Sequence, residues 1–341
     1  MTEIRTEPLR TPAAWTGPEM APRSDWVHAL SPAEIADLDR AVAHARATGR
    51  ALAELTRDDF PLPVLGASVE RWLDELETGR GFLLVRGVPV ERYGDEGAAL
   101  AYWGLGLHLG RAVSQNAAGD LLGHVRDAGA LKRDPTVRLY RTREPLGFHT
   151  DGADVIGLLC LRPAKAGGTS RIASSAAIYN EILRRRPDLV PALYEPFPFD
   201  RNGEERAGEP PYFSIPLCRY ADGALRTFYI GWYIRGSQRH ASAPRLSPEQ
   251  RAVIDLIDEI AADPAFHLDM EFASGDIQWL KNSVTLHART EYEDFPEPER
   301  KRHLLRLWLT SRRAFRGSDA FLNTGIPRKE GVDSDAASSP R

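Results

Sequence analysis

Residues 146–161 read LGFHTDGADVIGLLCL, a glycine-flanked polar segment that runs into a continuous apolar stretch. One residue separates His149 from Asp151, so on an extended segment both side chains point to the same side. The apolar stretch at 156–161 predicts a buried strand directly behind this pair. A rigid strand behind two polar side chains suits a preorganised site.

Further short β-like runs are distributed along the rest of the chain. They lie at 82–85, 212–220, 226–230, 267–272, 277–280 and 304–309. Asp222-Gly223, between two of these runs, is typical of a two-residue hairpin turn. Because helices do not alternate strictly with the strands, the pattern favours a mainly β jelly-roll core with flanking helices over a doubly wound parallel sheet.

Two helices are predicted by the residues that begin them. The segments at 31–34 (SPAE) and 247–250 (SPEQ) each combine a capping box with proline at the first helical position. Apolar residues then recur at helical spacing after each segment. We expect further helices at about 68–78, 95–109 and 175–194.

The composition excludes several classes of protein. Of the 341 residues, 42% are hydrophobic and 27% charged, which is ordinary globular usage. The formal net charge of −4 gives no basic surplus for nucleic acid. No stretch predicts a membrane span or an export signal, so no membrane partner is expected. Cys160 and Cys218 cannot form a disulfide framework, which favours a reducing, cytoplasmic setting.

The two ends of the chain differ from its middle. Residues 1–24 are rich in proline and threonine without periodicity, and residues 326–341 are polar and charged. We expect both segments to be flexible. The region between them, 25–325, is predicted to form a single catalytic jelly-roll domain with helical additions.

Metal chemistry is the reaction class that the motifs leave open. A phosphate-binding Gly-Lys-Ser/Thr loop, a Gly-x-Ser-x-Gly elbow and a His-Glu-x-x-His motif are all absent from the sequence. Non-haem iron oxygenases hold Fe(II) with two histidines and one carboxylate, and His149 with Asp151 could supply two of these ligands. The pair is equally compatible with a capped turn in which Asp151 bonds local N–H groups. A second pair, His267 and Asp269, begins an alternating strand pattern and is interpreted as structural.

A third ligand and an anion-binding strand lie downstream. His287 ends the segment NSVTLH at 282–287, as a ligand from another strand would. Beyond it, a predicted strand places Arg302, Leu304, Arg306 and Trp308 on one face. Two arginines on so apolar a strand require anionic partners, because an unpaired buried guanidinium is very costly. Structural salt bridges would also satisfy this requirement.

Taken together, these motifs resemble the taurine dioxygenase family (TauD/TfdA type) of Fe(II)- and 2-oxoglutarate-dependent oxygenases. The resemblance extends from about Gly81 to Arg306. It rests on FHTD at 148–151, LRP at 161–163, GGTS at 167–170, SSAAIY at 174–179, NSVTLH at 282–287, and Arg302 four residues before Arg306.

The resemblance implies a double-stranded β-helix (jelly-roll, clavaminate synthase-like) with His149, Asp151 and His287 as iron ligands. Thr169 and Arg302 would then hold the distal carboxylate of 2-oxoglutarate, and O2 would complete the cofactor set. Arg306 would hold either a substrate anion or 2-oxoglutarate. The implied reaction is hydroxylation of an unactivated C–H bond of a small anionic or zwitterionic molecule, with decarboxylation of 2-oxoglutarate to succinate and CO2.

The residues alone leave two other readings open. A zinc-dependent hydrolase could use the same three ligands, although Thr169 and Arg302 would then have no functional role. A non-catalytic jelly-roll protein that binds a small molecule is the other reading. The sequence also leaves open a homo-oligomer. Candidate substrate-contacting residues are Gln115, Asn116, Asp154, Tyr229 and Trp232.

Overall fold

The computed structural model describes residues 4–129, 142–313 and 325–329. Helices and strands are numbered in chain order. The helices are α1 (Gly17–Met20), α2 (Pro32–Ala47), α3 (Gly66–Glu77), α4 (Val90–Leu109), α5 (Ser175–Arg185), α6 (Gly231–Ser237) and α7 (Pro248–Ala262). The strands are β1 (Val27–Ala29), β2 (Phe82–Arg86), β3 (Gly110–Ala112), β4 (Leu122–Val125), β5 (Leu146–His149), β6 (Val155–Arg162), β7 (Ala166–Gly167), β8 (Ser170–Ser174), β9 (Pro196–Asp200), β10 (Tyr212–Pro216), β11 (Cys218–Ala221), β12 (Ala224–Thr227), β13 (His267–Met270), β14 (Ile277–Lys281), β15 (Thr285–Arg289), β16 (Tyr292–Glu293) and β17 (His303–Ser311).

Two β-sheets form the frame of the molecule. The larger sheet has the strand order β1-β2-β14-β6-β17-β3, and β4 also pairs with β17. The smaller sheet has the order β13-β8-β15-β5, and its strand pairs are antiparallel. The strand pairs of the described residues leave these sheets separate rather than closed into one barrel. The mainly β jelly-roll predicted from the sequence is confirmed.

A layer of apolar side chains fills the space between the sheets. Ile156, Leu280 and Trp308 come from the larger sheet, while Ile172 and Met270 come from the smaller one. The side chains that alternate with Trp308 along β17 face the other way and pack beneath α2, α3 and α4. Since β17 is covered on both faces, its inner side chains lie in a dry interior.

The local signals in the sequence act as predicted. The Ser31 and Ser247 hydroxyls accept the N–H groups of Glu34 and Gln250 at the starts of α2 and α7. Asp222 and Gly223 both have positive φ, as the tight turn between β11 and β12 requires. The helix predicted at 175–194 ends at Arg185 and is followed by a 3-10 segment, Pro187–Tyr194, because proline cannot donate a helical hydrogen bond.

The N-terminal segment, which the sequence predicts to be flexible, packs against the body of the protein. Leu9, Trp15 and Met20 are buried against the body of the protein, and the Trp15 indole donates to the Arg80 carbonyl at 2.9 Å. Asn180 bonds both the N–H and the carbonyl of Leu9. Isolated apolar anchors hold residues 4–24 in place, and such anchors leave no periodic pattern in a sequence.

Residues 325–329 also contact the core. The Ile326 N–H donates to the Ser114 carbonyl at 2.8 Å, and the Lys329 N–H donates to the Ala117 carbonyl at 2.7 Å. The remainder of the tail predicted at 326–341 lies outside the described residues. Across the described part of the chain, no helix combines the length and the apolar character needed to span a bilayer.

Candidate metal centre

Three buried side chains converge at one end of the interior between the two sheets. His149 ends β5, Asp151 follows two residues later, and His287 lies in β15. Strands β5 and β15 pair so that His149 and His287 lie directly opposite each other. Each of the three side chains offers one ligand atom, and these atoms lie within 4.8 Å of one another.

A local hydrogen bond orients the His149 imidazole. The Nδ1 atom of His149 lies 2.9 Å from the Gly147 carbonyl, so Nδ1 carries the proton and Nε2 keeps its lone pair. That Nε2 atom is 3.7 Å from Asp151 Oδ1. The Nε2 atom of His287 is 3.6 Å from Asp151 Oδ2. The Nε2 atoms of both histidines therefore lie close to the same carboxylate, while His287 Nδ1 has no hydrogen-bond partner among the described residues.

The turn that carries Asp151 is fixed through its backbone and its side chain. The Asp151 N–H donates to the Asn282 side-chain oxygen at 2.7 Å, and the Asn282 amide donates back to the Asp151 carbonyl. The Thr150 N–H donates to the Tyr229 carbonyl at 2.7 Å. The Trp308 indole N–H donates to Asp151 Oδ2 at 3.0 Å. These contacts hold the carboxylate in place before any ligand binds.

The electrostatics of the three groups suit a divalent cation. Burial and the neighbouring His287 lower the pKa of His149 to about 3, so that its ring is neutral at neutral pH. Burial alone would raise the pKa of the Asp151 carboxyl, but the Arg306 guanidinium and the two histidines outweigh burial and hold this pKa well below its ordinary value. The site therefore presents a neutral His149 ring and a charged carboxylate, with the His287 ring beside them.

This donor set fits Fe(II). Two imidazole nitrogens and one carboxylate are the facial set that holds non-haem iron and leaves further coordination positions open. Of the described residues, only these three form a His, Cys, Asp or Glu group of metal-binding geometry. His267 belongs elsewhere: its Nδ1 lies 3.1 Å from the Ala261 carbonyl, and Asp269 pairs with Arg171 on the surface. The structural interpretation of that second pair agrees with these contacts.

A cluster of buried cationic groups lies at the outer end of the same interior. Arg302 is only 4% exposed, and its Nη1 atom has no hydrogen-bond partner. Arg289 is also buried, and its Nε and Nη1 atoms lack partners. Both guanidinium groups lie against the ring of Tyr292, at 4.8 Å from its centroid for Arg289 and 4.9 Å for Arg302.

This cluster requires an anion. Burial and the nearby Arg302 lower the pKa of Arg289 to about 10, and burial lowers the pKa of Arg302. Arginine nevertheless keeps its proton at neutral pH, so the charge has to be balanced from outside the pair. Three buried nitrogen atoms of these two arginines lack hydrogen-bond partners. A carboxylate could accept hydrogen bonds from them.

The structure places Thr169 away from this cluster. Its hydroxyl donates to Glu271 at 3.0 Å on the exposed side of the smaller sheet. The next residue, Ser170, is buried, and its hydroxyl lies 3.2 Å from the Gln278 side-chain oxygen. Ser170 shares its strand face with Ile172, which lies opposite His287, so Ser170 faces the interior. The Ser170 hydroxyl, rather than that of Thr169, therefore faces the interior between the sheets.

Arg306 lies directly beside the metal ligands. Its Nη1 atom is 3.7 Å from Asp151 Oδ2, and its Nε donates to the Gln115 side-chain oxygen at 2.7 Å. The Gln115 amide in turn donates to the carbonyls of Arg306 and Leu121. Gln115 is 1% exposed, so it acts on the site by positioning Arg306.

Among the other predicted substrate residues, only Trp232 lies beside the metal ligands. Its ring centroid is 4.9 Å from that of His149. The Tyr229 hydroxyl instead donates to Asp258 at 2.6 Å, which ties the ring to α7. Asn116 closes the turn at 116–120, and the Asp154 carboxylate accepts the Ser311 N–H at the far end of β17. These three side chains have scaffold contacts in place of the predicted substrate role.

Sequence reasoning missed three residues of the site. Arg289 lies two residues along its strand from His287, so the period-2 spacing could have identified it, whereas Trp308 was placed on the Arg306 face by that spacing but was given no role. Tyr292 lies in a loop-like segment with many charged residues, and no spacing rule points to it. All three are buried next to groups that the sequence did identify.

Comparison with known proteins is consistent with this geometry. The model of the family described as "Taurine catabolism dioxygenase TauD, TfdA family" matches residues 45–308. The chain is 34% identical over 316 residues to FR-33289 synthase of Streptomyces rubellomurinus (strain ATCC 31215), which covers 91% of this chain and 92% of that protein. It is 32% identical over 309 residues to the taurine hydroxylase-like protein SAT17 of Stachybotrys chartarum (strain CBS 109288 / IBT 7711), covering 88% and 79% of the two chains.

A solved structure shows the same fold. The asparagine oxygenase in complex with Fe(II), 2S,3S-3-hydroxyasparagine and succinate superposes with a TM-score of 0.67 at 15% identity, over 87% of this chain and 98% of that one. At this identity the likeness concerns the fold alone. The family match and the two relatives, which span nearly the whole chain, carry the assignment: the chain belongs to the TauD/TfdA family of iron- and 2-oxoglutarate-dependent dioxygenases.

Proposed function

We propose that His149, Asp151 and His287 bind Fe(II), and that the enzyme hydroxylates an unactivated C–H bond of a small molecule with an anionic group. The observation that carries this proposal is the pairing of a buried His-Asp-His site with three buried arginines, Arg289, Arg302 and Arg306. A metal-binding site explains the first set of residues. Anionic ligands explain the second set.

The distal carboxylate of 2-oxoglutarate is the anion proposed for Arg302. Its partnerless Nη1 atom can donate to a carboxylate oxygen, and charge-assisted hydrogen bonds of this kind are the strongest available to a buried arginine. Arg289 adds a second positive charge beside the same Tyr292 ring. The Ser170 hydroxyl, on the inner face of the smaller sheet, donates to Gln278 Oε1 in this structure and is proposed to turn to the same carboxylate when it is bound.

The charge balance favours an anionic or zwitterionic substrate. Three buried guanidinium groups and one buried carboxylate belong to the described site. Fe(II) and the 2-oxoglutarate dianion cancel each other, so two positive charges remain when both are bound. Arg306, 3.7 Å from Asp151, is the arginine nearest to the metal ligands and is proposed to hold the substrate anion. Low dielectric makes that interaction stronger than it would be in water.

The chain itself supplies position, charge and exclusion of water. Iron, when bound, supplies the activation of O2 by which 2-oxoglutarate is decarboxylated and the substrate oxidised. His149 holds a neutral ring toward the metal position, His287 lies opposite it on β15, and Asp151 holds its charge there without a proton. Trp232, whose ring lies against that of His149, is proposed to cover one side of the substrate position.

We further propose that the protein is cytoplasmic and that its partner is a small molecule. Cys160 and Cys218 are both free and buried, as expected for a reducing compartment.

A substrate screen tests the proposal. The purified protein is incubated with Fe(II), ascorbate, 2-oxoglutarate and a panel of small carboxylates, sulfonates, phosphonates and amino acids, together with neutral alcohols and amides of similar size. We expect one panel member to gain a single oxygen atom, by mass spectrometry, with succinate formed in equal amount. The Asp151→Ala variant is the matched control and should give neither product. Oxidation only of neutral panel members would contradict the charge argument.

A further inference from the structure

We propose that Trp308 is a positioning residue for the metal centre: its indole N–H engages one oxygen of Asp151, so that this carboxylate gives the metal a single oxygen. The inference rests on the proposed function, because it assumes a metal at the His149, Asp151 and His287 site. It concerns a residue whose indole N–H contacts a proposed metal ligand rather than the metal position itself.

The contact between Trp308 and Asp151 is well defined. The indole Nε1 atom lies 3.0 Å from Asp151 Oδ2, and Trp308 is only 3% exposed. The ring cannot move away easily, because it packs in the apolar layer with Ile156 and Ile172. On another side the backbone at Gly152 is so close that an added Cβ would lie 3.4 Å from the ring.

The two oxygens of Asp151 therefore differ chemically. Oδ2 accepts the indole N–H and lies 3.7 Å from the Arg306 guanidinium. Arg306 is itself held over the Trp308 ring, with 5.0 Å between its guanidinium carbon and the ring centroid. A donor and a positive charge at Oδ2 withdraw electron density from that oxygen. Each oxygen lies beside one histidine, Oδ1 at 3.7 Å from His149 Nε2 and Oδ2 at 3.6 Å from His287 Nε2, so the difference between them comes from the indole and the guanidinium. Oδ1 is left as the better metal ligand.

This asymmetry matters because Fe(II) in such sites has about six coordination positions. If each protein ligand gives one atom, three positions remain, which is enough for a two-atom chelate by 2-oxoglutarate and one molecule of O2. If Asp151 gave both oxygens, only two positions would remain. By engaging Oδ2, Trp308 keeps the third position available.

Replacing Trp308 with phenylalanine tests the idea, since this change keeps an aromatic ring and removes the N–H. Trp279→Phe is the matched control, because Trp279 is also fully buried in the sheet and its Nε1 has no partner. Co(II) alone serves as the probe for the metal-free proteins, read by its visible absorption. We expect Trp308→Phe to weaken Co(II) binding about tenfold and to change the shape of the Co(II) spectrum. Trp279→Phe should match the wild type in both readouts.

The outcomes separate this inference from the proposed function. If wild-type protein does not bind Co(II) at all, the proposed metal site is wrong. If the wild type binds Co(II) and Trp308→Phe gives the same dissociation constant and spectrum, the role of Trp308 is wrong. Should Trp308→Phe fail to fold, indole N–H resonances of 15N-tryptophan-labelled wild type and Asp151→Ala decide the matter. We expect the Trp308 signal alone to move upfield in Asp151→Ala, and an unmoved signal would overturn the inference.

Discussion

His149 and His287 lie directly opposite each other on the adjacent antiparallel strands β5 and β15, with their ring centroids 4.1 Å apart. A ladder of backbone hydrogen bonds therefore sets the spacing of the two imidazoles. Asp151, two residues beyond His149, completes the group from the same segment of chain. The rigidity of the site thus derives from the sheet, while the flanking loops contribute access.

The first prediction concerns the metal ligands. His149→Ala, Asp151→Ala and His287→Ala should each abolish iron binding while the fold is kept, because each removes one of only three protein ligands. Iron content after anaerobic loading, with circular dichroism on the same samples, measures both effects.

His267→Ala is the control for this series. His267 is buried and its Nδ1 bonds the Ala261 carbonyl, so its loss should cost about 1–3 kcal/mol of unfolding free energy without loss of iron. A His267→Ala protein that lost its iron and a His149→Ala protein that kept it would show that the wrong His-x-Asp pair had been chosen.

The second prediction concerns Arg302 and 2-oxoglutarate. Arg302→Ala should raise the KM for 2-oxoglutarate by about 30- to 900-fold, equivalent to about 2–4 kcal/mol of lost binding, because a buried charge-assisted contact disappears. Pyruvate, which lacks the distal carboxylate, should support no turnover by the wild type.

Arg171→Ala is the matched control for Arg302. Arg171 pairs with Asp269 on the outer side of the smaller sheet, so its removal should leave the KM for 2-oxoglutarate unchanged. Equal activity of the wild type with pyruvate and with 2-oxoglutarate would reject a distal-carboxylate site.

The third prediction separates two neighbouring hydroxyls. Ser170→Ala should raise the KM for 2-oxoglutarate by about 2- to 13-fold, the equivalent of one hydrogen bond of about 0.5–1.5 kcal/mol. Thr169→Ala should have no effect on this KM, because the Thr169 hydroxyl is bonded to the exposed Glu271. The reverse pattern, measured by succinate formation, would restore the original assignment of Thr169.

The exchange of Thr169 for Ser170 shows where sequence reasoning reaches its limit. Along β17, alternation correctly places Arg306 and Trp308 on one face, because the pairing with β6 is regular from Leu304 to Leu309. Before β8, however, Gly167 and Gly168 both have positive φ. Two consecutive residues in this conformation interrupt the regular inward and outward alternation of side chains. A motif match alone therefore cannot tell which of the next two side chains points inward.

Contacts between segments that are distant along the chain also could not be predicted from the sequence. Gln115 was predicted as a substrate residue, yet its side chain bonds Arg306, far away along the chain. The N-terminal anchors Leu9 and Trp15 were missed for the same reason. By contrast, the metal ligands could be predicted, because the His-x-Asp spacing and the strand pattern are both local.

The fourth prediction concerns stability against pH. Burial, together with His124 and Arg162, lowers the pKa of His303 to about 3 from an ordinary 6.5. Between these values the unfolded chain binds a proton at this residue and the folded chain does not. Stability is therefore lost as the pH falls from about 6.5 toward 3, by about 1.4 kcal/mol per pH unit for this one group.

Urea unfolding of the metal-free protein between pH 7 and pH 5 measures this loss. His303→Gln should reduce the slope of unfolding free energy against pH below 6.5, whereas His44→Gln, at an exposed position on α2, should leave the slope unchanged. Parallel curves for wild type and His303→Gln would contradict the assignment of the slope to His303.

The last prediction concerns Arg306 and the charge of the substrate. Arg306 is buried in β17, 3.7 Å from Asp151 and held by Gln115, so it lies beside the metal position, whereas Arg302 immediately precedes the strand. If Arg306 holds the substrate anion, Arg306→Gln should raise the KM for the substrate found in the screen at least tenfold. Slow decarboxylation of 2-oxoglutarate without substrate should continue at a similar rate, because Arg302 still binds the co-substrate.

Gln115→Leu should produce a weaker effect of the same kind, since it removes the side chain that positions Arg306 and leaves the charge. If Arg306→Gln instead abolishes the substrate-free reaction, Arg306 belongs to the 2-oxoglutarate site, and an unchanged KM for an anionic substrate would remove it from substrate recognition altogether.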